Sequence, residues 1–117
     1  MSQFTNVTIS TKANIYFDGK VTSRTIVFQD GTRKTLGIML PGEYEFSTSQ
    51  KEEMDIQAGI LEYKLKGQEW KLIQNNGVFY VPANESFFLK VHSVVDYCCS
   101  YLPEGNWYNI NIDVKII

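Results

Sequence analysis

The chain has 117 residues, a length that suits one domain and lets a core form without disulfides or a structural metal. Its 11 Lys plus Arg stand against 13 Asp plus Glu, a formal charge of −2, so there is no bulk basic field to draw in nucleic acid. No 18-residue apolar run is present, which predicts no membrane-spanning helix and no membrane partner. The opening "MSQFTNVTISTK" has no basic start followed by an apolar block, which predicts no signal peptide and a cytoplasmic location.

Taken in chain order, almost every segment reads as a short strand closed by a turn signal. "ANIYF" runs into Asp18-Gly19, "KVTSRTIVF" into Asp30-Gly31, and "RKTLGIML" into Pro41-Gly42. "EYEFSTS" leads to the charged "QKEE", where at most one helical turn is expected. "MDIQAG" passes to "ILEYKL", which ends at Lys66-Gly67. "EWKLI" and "VFYVP" flank Asn75-Asn76-Gly77, whose tolerance of positive φ predicts a hairpin between them. "SFFLKV" and "VVDYCCSYL" complete the set. Turns about every ten residues are the spacing of an all-β sandwich or barrel, and no helical period competes.

Alternation assigns the faces. Tyr44, Phe46 and Thr48 share one side of their strand, and Met54 and Ile56 one side of theirs, with Glu52 in phase if that strand starts early. Phe79 goes with Val81, Phe87 with Leu89 and Val91, and Tyr97 with Cys99 and Tyr101. These sets are expected to face an interior. Glu43, Glu45, Asp55, Gln57, Lys90 and Ser100 fall opposite. The adjacent Cys98 and Cys99 point to opposite faces of one strand and are expected as free thiols of a reducing compartment. The tail "PEGNWYNINIDVKII" alternates at Ile110, Ile112, Val114 and Ile116, which predicts one more amphipathic strand, packed outside the barrel or paired across a dimer.

"LPGEYEFSTSQKEEMDIQAGILEY" resembles the first cupin motif with its metal ligands gone. That motif runs glycine, two histidines one residue apart, a glutamate, and a glycine seven positions later. Glu52 and Gly59 keep the last spacing, and the histidine places fall near Phe46 and Thr48 or near Glu45 and Ser47. In the second motif Gly77, Pro82 and Asn84 keep the frame approximately, one residue short between glycine and proline, and Phe87 holds the histidine place. The run "PGEYEF…EEM…GVFYVPA…DYCCSY" is similar, more closely, to the small single-domain cupin family of pyrimidine/purine nucleoside phosphorylases. The resemblance covers roughly residues 15–102, leaving an N-terminal arm, 1–14, and the tail, 103–117, outside it. It implies a single-domain, all-β, cupin-type jelly-roll barrel, a homodimer, and the conversion of purine and pyrimidine nucleosides with phosphate into free base and ribose 1-phosphate.

The residues are then weighed for that chemistry. A catalytic metal needs two or three converging His or carboxylate ligands, yet the only histidine, His92, is out of phase with Phe87, Leu89 and Val91. No metal and no cofactor is therefore expected, with inorganic phosphate as co-substrate. Tyr44, Phe46, Phe79, Phe87 and Tyr101 are core residues singly. Collectively they are candidates to stack on a nucleobase, which any base permits, and Thr48 is a further substrate-binding candidate. Arg33 is the candidate for phosphate, since a guanidinium engages two oxygens at once, and Ser47 is a candidate hydroxyl donor to it. Glu52 is the candidate catalytic carboxylate, placed to bind ribose hydroxyls or to stabilise positive charge on the sugar. A cysteine nucleophile would need a base nearby, so Cys99 is expected to be structural. The rival reading is a cupin that binds a nucleoside without reacting it.

Overall fold

The computed structural model describes residues 2–103, so the strand expected at Ile110–Ile116 lies outside the described residues. The strands are β1 (Thr8–Ile9), β2 (Asn14–Tyr16), β3 (Val21–Val27), β4 (Arg33–Met39), β5 (Gly42–Ser47), β6 (Glu52–Ala58), β7 (Ile60–Leu65), β8 (Lys71–Gln74), β9 (Gly77–Val81), β10 (Ser86–Val91) and β11 (Val95–Tyr101). A single 3-10 turn, Phe17–Gly19, follows β2. The β6 strand does start early, at Glu52, which puts that carboxylate in phase with Met54 and Ile56.

The pairing is nested. The β7–β8 hairpin turns at Lys66-Gly67, and outward from it β6 pairs with β9, β5 with β10 and β4 with β11, all antiparallel. This is one long antiparallel ribbon rolled up, the jelly-roll arrangement. Rolling brings β11 beside β6 and β10 beside β7. The result is a seven-stranded sheet, with β1-β3-β4-β11-β6-β9 in order and β2 on β3, facing a four-stranded sheet β5-β10-β7-β8. Among the described residues no ladder joins the two sheets, so the fold is a two-layer roll with its core between them. The arm before residue 15 adds to it: Thr8 and Ile9 pair with Val27 and Ile26, and Asn14 with Ser23.

The hairpin expected at Asn75-Asn76-Gly77 does not form. β8 belongs to the smaller sheet and β9 to the larger, so this turn carries the chain across the gap. Asn75 accepts the positive φ, at 73°, and its N–H donates to the Gly59 carbonyl at 2.8 Å, the point where β6 crosses to β7. Two sheet-crossing corners are thus bonded to each other. Gly59 itself has φ +101°, and a Cβ there would collide with the Val94 carbonyl oxygen, so both backbone conformation and space call for glycine.

The expected inward sets are buried. Met54, Ile56, Phe79, Val81, Phe87, Leu89, Val91, Tyr97 and Cys99 join one cluster with Tyr44, and Tyr101 packs partly buried against it. Tyr63 lies flat on Phe79, with ring centroids 3.9 Å apart and planes 7° apart, and Phe87 meets Phe79 edge-on at 6.2 Å. Both cysteines are buried and unpaired with each other.

Candidate active site

A cavity of about 190 Å3 opens between the sheets. β5 and β10 supply Phe46, Ser47 and Phe87; β6 supplies Glu52 and Met54; β11 supplies Tyr97, Cys99 and Tyr101; and β2, β3 and β4 supply Tyr16, Ser23, Thr35 and Met39. Period-2 alternation explains the set, because Glu52 and Met54, Tyr97, Cys99 and Tyr101, and Thr35 and Met39 are each every-second residues of one strand.

The aromatic wall is ordered around Phe46. Its ring stacks on Phe87 at 5.8 Å and 26° and meets Phe17 and Tyr16 edge-on at 5.3 and 6.0 Å. Phe87 is 2% exposed and lies behind, whereas Phe46 is half-buried and fronts the opening. Tyr16 and Phe17 form the outer lip, both 43% exposed. Phe17 and Asp18 hold φ of 54° and 56°, a left-handed conformation unusual for a bulky side chain. Contacts of Phe17 with Tyr44, at 4.9 Å, and with Phe46 hold that strained lip in place.

Among the described residues Glu52 is the one carboxylate on the wall, and no Lys, Arg or His lines the cavity. Burial raises its carboxyl above the ordinary value, and a hydrogen bond from the Cys99 thiol, Sγ to Oε1 at 3.5 Å, works the other way. Burial likewise raises the Tyr97 phenol and the Cys99 thiol, and pushes the Tyr101 phenol up to about 12, with a hydrogen bond to the Thr35 side chain opposing. At neutral pH the two phenols and the Cys99 thiol are protonated. The cavity therefore offers neutral O–H and S–H donors, two aromatic surfaces and one acidic group.

The candidates from sequence divide in three. Glu52, Phe46, Ser47, Phe87 and Tyr101 meet at this cavity. Tyr44, Thr48 and Phe79 are inward but do not line it. The Tyr44 hydroxyl donates to the Leu40 carbonyl at 2.6 Å, and Phe79 is stacked on Tyr63 deeper in the core. Thr48 is committed to a corner: its hydroxyl donates to the Pro82 carbonyl at 2.6 Å, and its backbone N–H donates to the Glu85 carbonyl at 2.9 Å. Arg33 lies in an adjoining depression that shares Tyr101 with the cavity. Ser47 is exposed at the edge and bonds Ser86 at 3.1 Å. Tyr16, Ser23, Thr35 and Met39 were not anticipated. Only Thr35 and Met39 carried a signal, being in phase on a strand whose faces alternation can assign.

His92 sits on the outer surface, with Nε2 2.7 Å from the Glu62 carboxylate. Among the described residues no three His, Cys, Asp or Glu side chains are grouped to hold a metal. No helix of the described chain is long and apolar enough to cross a membrane.

The two sheets form a cupin-type jelly roll with an aromatic-walled cavity between them. The solved structures agree on the fold. A protein of unknown function (DUF1255) from Acinetobacter sp. ADP1 superposes with TM-score 0.81 and 39% identity, over 86% of this chain and 98% of its own. The Cnp3 cupin domain of Schizosaccharomyces pombe, at 14% identity, shares the fold with TM-score 0.59 over 78% of this chain and 65% of that one. The family model for pyrimidine/purine nucleoside phosphorylase matches residues 11–101. A Chlorobium chlorochromatii protein of that name is 62% identical over 102 residues, 87% of this chain and 99% of its own. The chain belongs to the pyrimidine/purine nucleoside phosphorylase family.

Proposed function

We propose that the protein catalyses phosphorolysis of both purine and pyrimidine nucleosides, giving free base and ribose 1-phosphate without a metal or organic cofactor. The observation that carries this reading is the composition of the cavity: an accessible ring face at Phe46, backed by Phe87, beside a single partly buried carboxylate, Glu52. The relatives' name supports nucleoside and phosphate as substrates.

The base stacks on Phe46, an interaction every base can make, which suits a broad substrate range. A phosphate oxygen forms the new bond to the anomeric carbon as the C–N bond breaks. The bonding pair goes to the base nitrogen, which takes a proton from a neutral donor or from solvent. Positive charge builds on the ribose in between, and an ionised Glu52 stabilises it in a partly dry site. Tyr97 and Tyr101, protonated at neutral pH, supply hydroxyl donors for sugar or base. Arg33 and Ser47 at the rim are the groups assigned to phosphate.

The test is direct. Uridine, inosine and adenosine are incubated with the protein, with and without phosphate, and free base is measured. Release that requires phosphate is expected; release without it would make the protein a hydrolase. One observation favours a second reading, a non-catalytic nucleoside-binding cupin: among the described residues the cavity wall carries no cation for phosphate. Calorimetric binding of nucleosides with no base release would establish that alternative.

We also assign a cytoplasmic, homodimeric state. Leu36 and Ile38 on the outer face of β4, and Val78 and Tyr80 on that of β9, are exposed apolar pairs flanking Asp96, Asp55 and Glu53 of β11 and β6, and this is the face on which we place a second copy. Sedimentation at micromolar concentration measures it, and a monomer would reject it.

A further inference from the structure

Tyr101 belongs to two concavities at once. It lines the cavity that holds Glu52 and Phe46, and it also borders a shallower depression of about 270 Å3 formed with Asp30, Thr32, Arg33 and Gln50. The Arg33 guanidinium carbon lies 4.9 Å from the centroid of the Tyr101 ring. Among the described residues Arg33 makes no ion pair. Its charge rests on an aromatic face instead of a carboxylate, which leaves the N–H edge of the fork available for a bidentate anion.

The surroundings set the direction of approach. Among the described residues Asp30 is the one carboxylate of the depression, and its Oδ1 accepts from the Thr32 N–H at 2.9 Å and the Thr32 hydroxyl at 2.7 Å. Those bonds lower its pKa, so it stays ionised and disfavours an anion on its own side. Gln50 donates to the Leu102 carbonyl at 3.2 Å. The Tyr101 side of Arg33 is what remains. Arg33 is also the inward-phase neighbour of Thr35 on β4, one residue pair or about 7 Å above it. Thr35 is on the cavity wall with Tyr101. Arg33 therefore sits one strand step from the cavity wall and is joined to it through Tyr101.

We infer that Tyr101 is a positioning residue for phosphate: its ring is the platform that holds the Arg33 fork at the cavity rim, next to the reacting sugar. This rests on the phosphorolysis reading, and it adds to that reading the residue that joins the phosphate side of the site to the nucleoside side. Tyr101 acts through Arg33, and its hydroxyl is not needed for this role.

The experiment is a double-mutant cycle on the full chain. Arg33→Ala, Tyr101→Leu and the double variant are compared with wild type for phosphate KM at saturating nucleoside. Phosphate binding is measured in parallel by calorimetry with nucleobase present, which requires no turnover. Each single change is expected to weaken phosphate roughly two- to thirtyfold, the range of a cation over an aromatic ring. The double variant is expected to be no worse than the weaker single, because the two residues act as one unit. Tyr101→Phe keeps the ring but loses the hydroxyl offered to sugar or base, so turnover is expected to fall while calorimetric phosphate affinity stays within about twofold of wild type. Arg33→Lys keeps charge but loses the planar fork, and is expected to weaken phosphate nearly as much as Arg33→Ala. This surface variant serves if Tyr101→Leu fails to fold. Additive effects, a wild-type affinity in Arg33→Lys, or a Tyr101→Phe loss of phosphate affinity equal to that of Tyr101→Leu would each overturn the inference. Failure of the phosphorolysis reading looks different: wild type would release no base, while phosphate binding would still depend on Arg33 and Tyr101 if the platform is real.

Discussion

Replacing Phe46 by alanine separates stacking from core packing, because Phe46 is the ring that combines a contact role with partial exposure. Phe87, at 2% exposure, is bound up with the fold, and its removal falls in the range of roughly 3–5 kcal/mol for a fully buried phenylalanine. Phe46 is half-buried on β5 and should cost less, leaving a folded protein. Its loss removes the front face of the Phe46–Phe87 stack, on which the base is expected to lie. Base–aromatic stacking is worth about 1–3 kcal/mol by alanine substitution. KM for nucleoside should therefore rise about 5- to 150-fold, for uridine and inosine alike, at saturating phosphate. Phe46→Leu is the control, since it keeps most of the volume and discards the π-face. It should resemble alanine in KM and wild type in thermal midpoint. If KM for both nucleosides stays within about twofold in a folded Phe46→Ala protein, stacking at this position is wrong. If only one class of base is affected, recognition runs through hydrogen bonds to the base edge and not through its face.

Three other outcomes follow from the same geometry. Burial raises the Glu52 carboxyl above its ordinary 4.5, so the folded chain binds that proton more tightly than the unfolded one. The associated stability is present below 4.5 and falls as pH rises through the folded value. Glu52→Gln should accordingly raise the thermal midpoint over wild type at about pH 8, lose that advantage near about pH 4, and cut turnover by about tenfold or more; a gain that persists in acid would contradict the buried-carboxylate account. Gly59→Ala meets both a positive φ and the Val94 carbonyl, whereas Gly31→Ala meets a positive φ of 89° and open space. Urea unfolding should therefore show a loss of about 1–3 kcal/mol at Gly59 that exceeds the loss at Gly31, and equal losses would remove the collision from the explanation. Burial pushes both cysteine thiols up, so the native chain should resist a thiol-specific disulfide reagent at about pH 8, with both sulfurs reacting in denaturant. Rapid labelling of the native chain would mean that Cys99 is reached through the cavity.

Alternation and turn chemistry made most of the roll legible in the sequence. The inward sets around Phe87, Met54 and Tyr97 needed only the two-residue period, and Glu52 needed only the early start of β6. What they leave open is long-range. Asn75-Asn76-Gly77 has hairpin chemistry, yet its flanking strands pair with β7 and β6 in different sheets. Local φ preference fixes that the chain turns, not which sheet it enters next. Depth has the same origin. Phe79 and Phe87 have identical inward phase, but register puts Phe79 against Tyr63 in the core and Phe87 on the cavity wall. Thr48 is inward as alternation requires, and its hydroxyl is consumed by a corner that forms only when residues 48 and 82–85 meet. Tyr16 and Ser23 reach the site because β2 and β3 fold onto the edge of the larger sheet, a contact without a sequence motif.

The distribution of charge bears on the order of events in the proposed reaction. Among the described residues Glu52 is the only Asp, Glu, Lys, Arg or His on the cavity wall, and Arg33 borders the adjoining depression that shares Tyr101. Phosphate entering first would carry its negative charge toward a carboxylate with no cation beside it, an arrangement that raises the carboxyl further and removes the charge the sugar needs. A nucleoside entering first is neutral and costs nothing of that kind. It also fills a cavity of about 190 Å3, below the roughly 300–1,000 Å3 of drug-sized sites, and so leaves phosphate only the rim. There Arg33 can offset the dianion while Glu52 stays ionised beneath the ribose. Negative charge then lies on both sides of the carbon that becomes positive, and the Tyr101 ring separates the two anionic groups. On these grounds initial-rate kinetics should show ordered binding with nucleoside first. Phosphate-first order would mean that Arg33 takes the dianion at the rim before the cavity is filled, and would reject this reasoning.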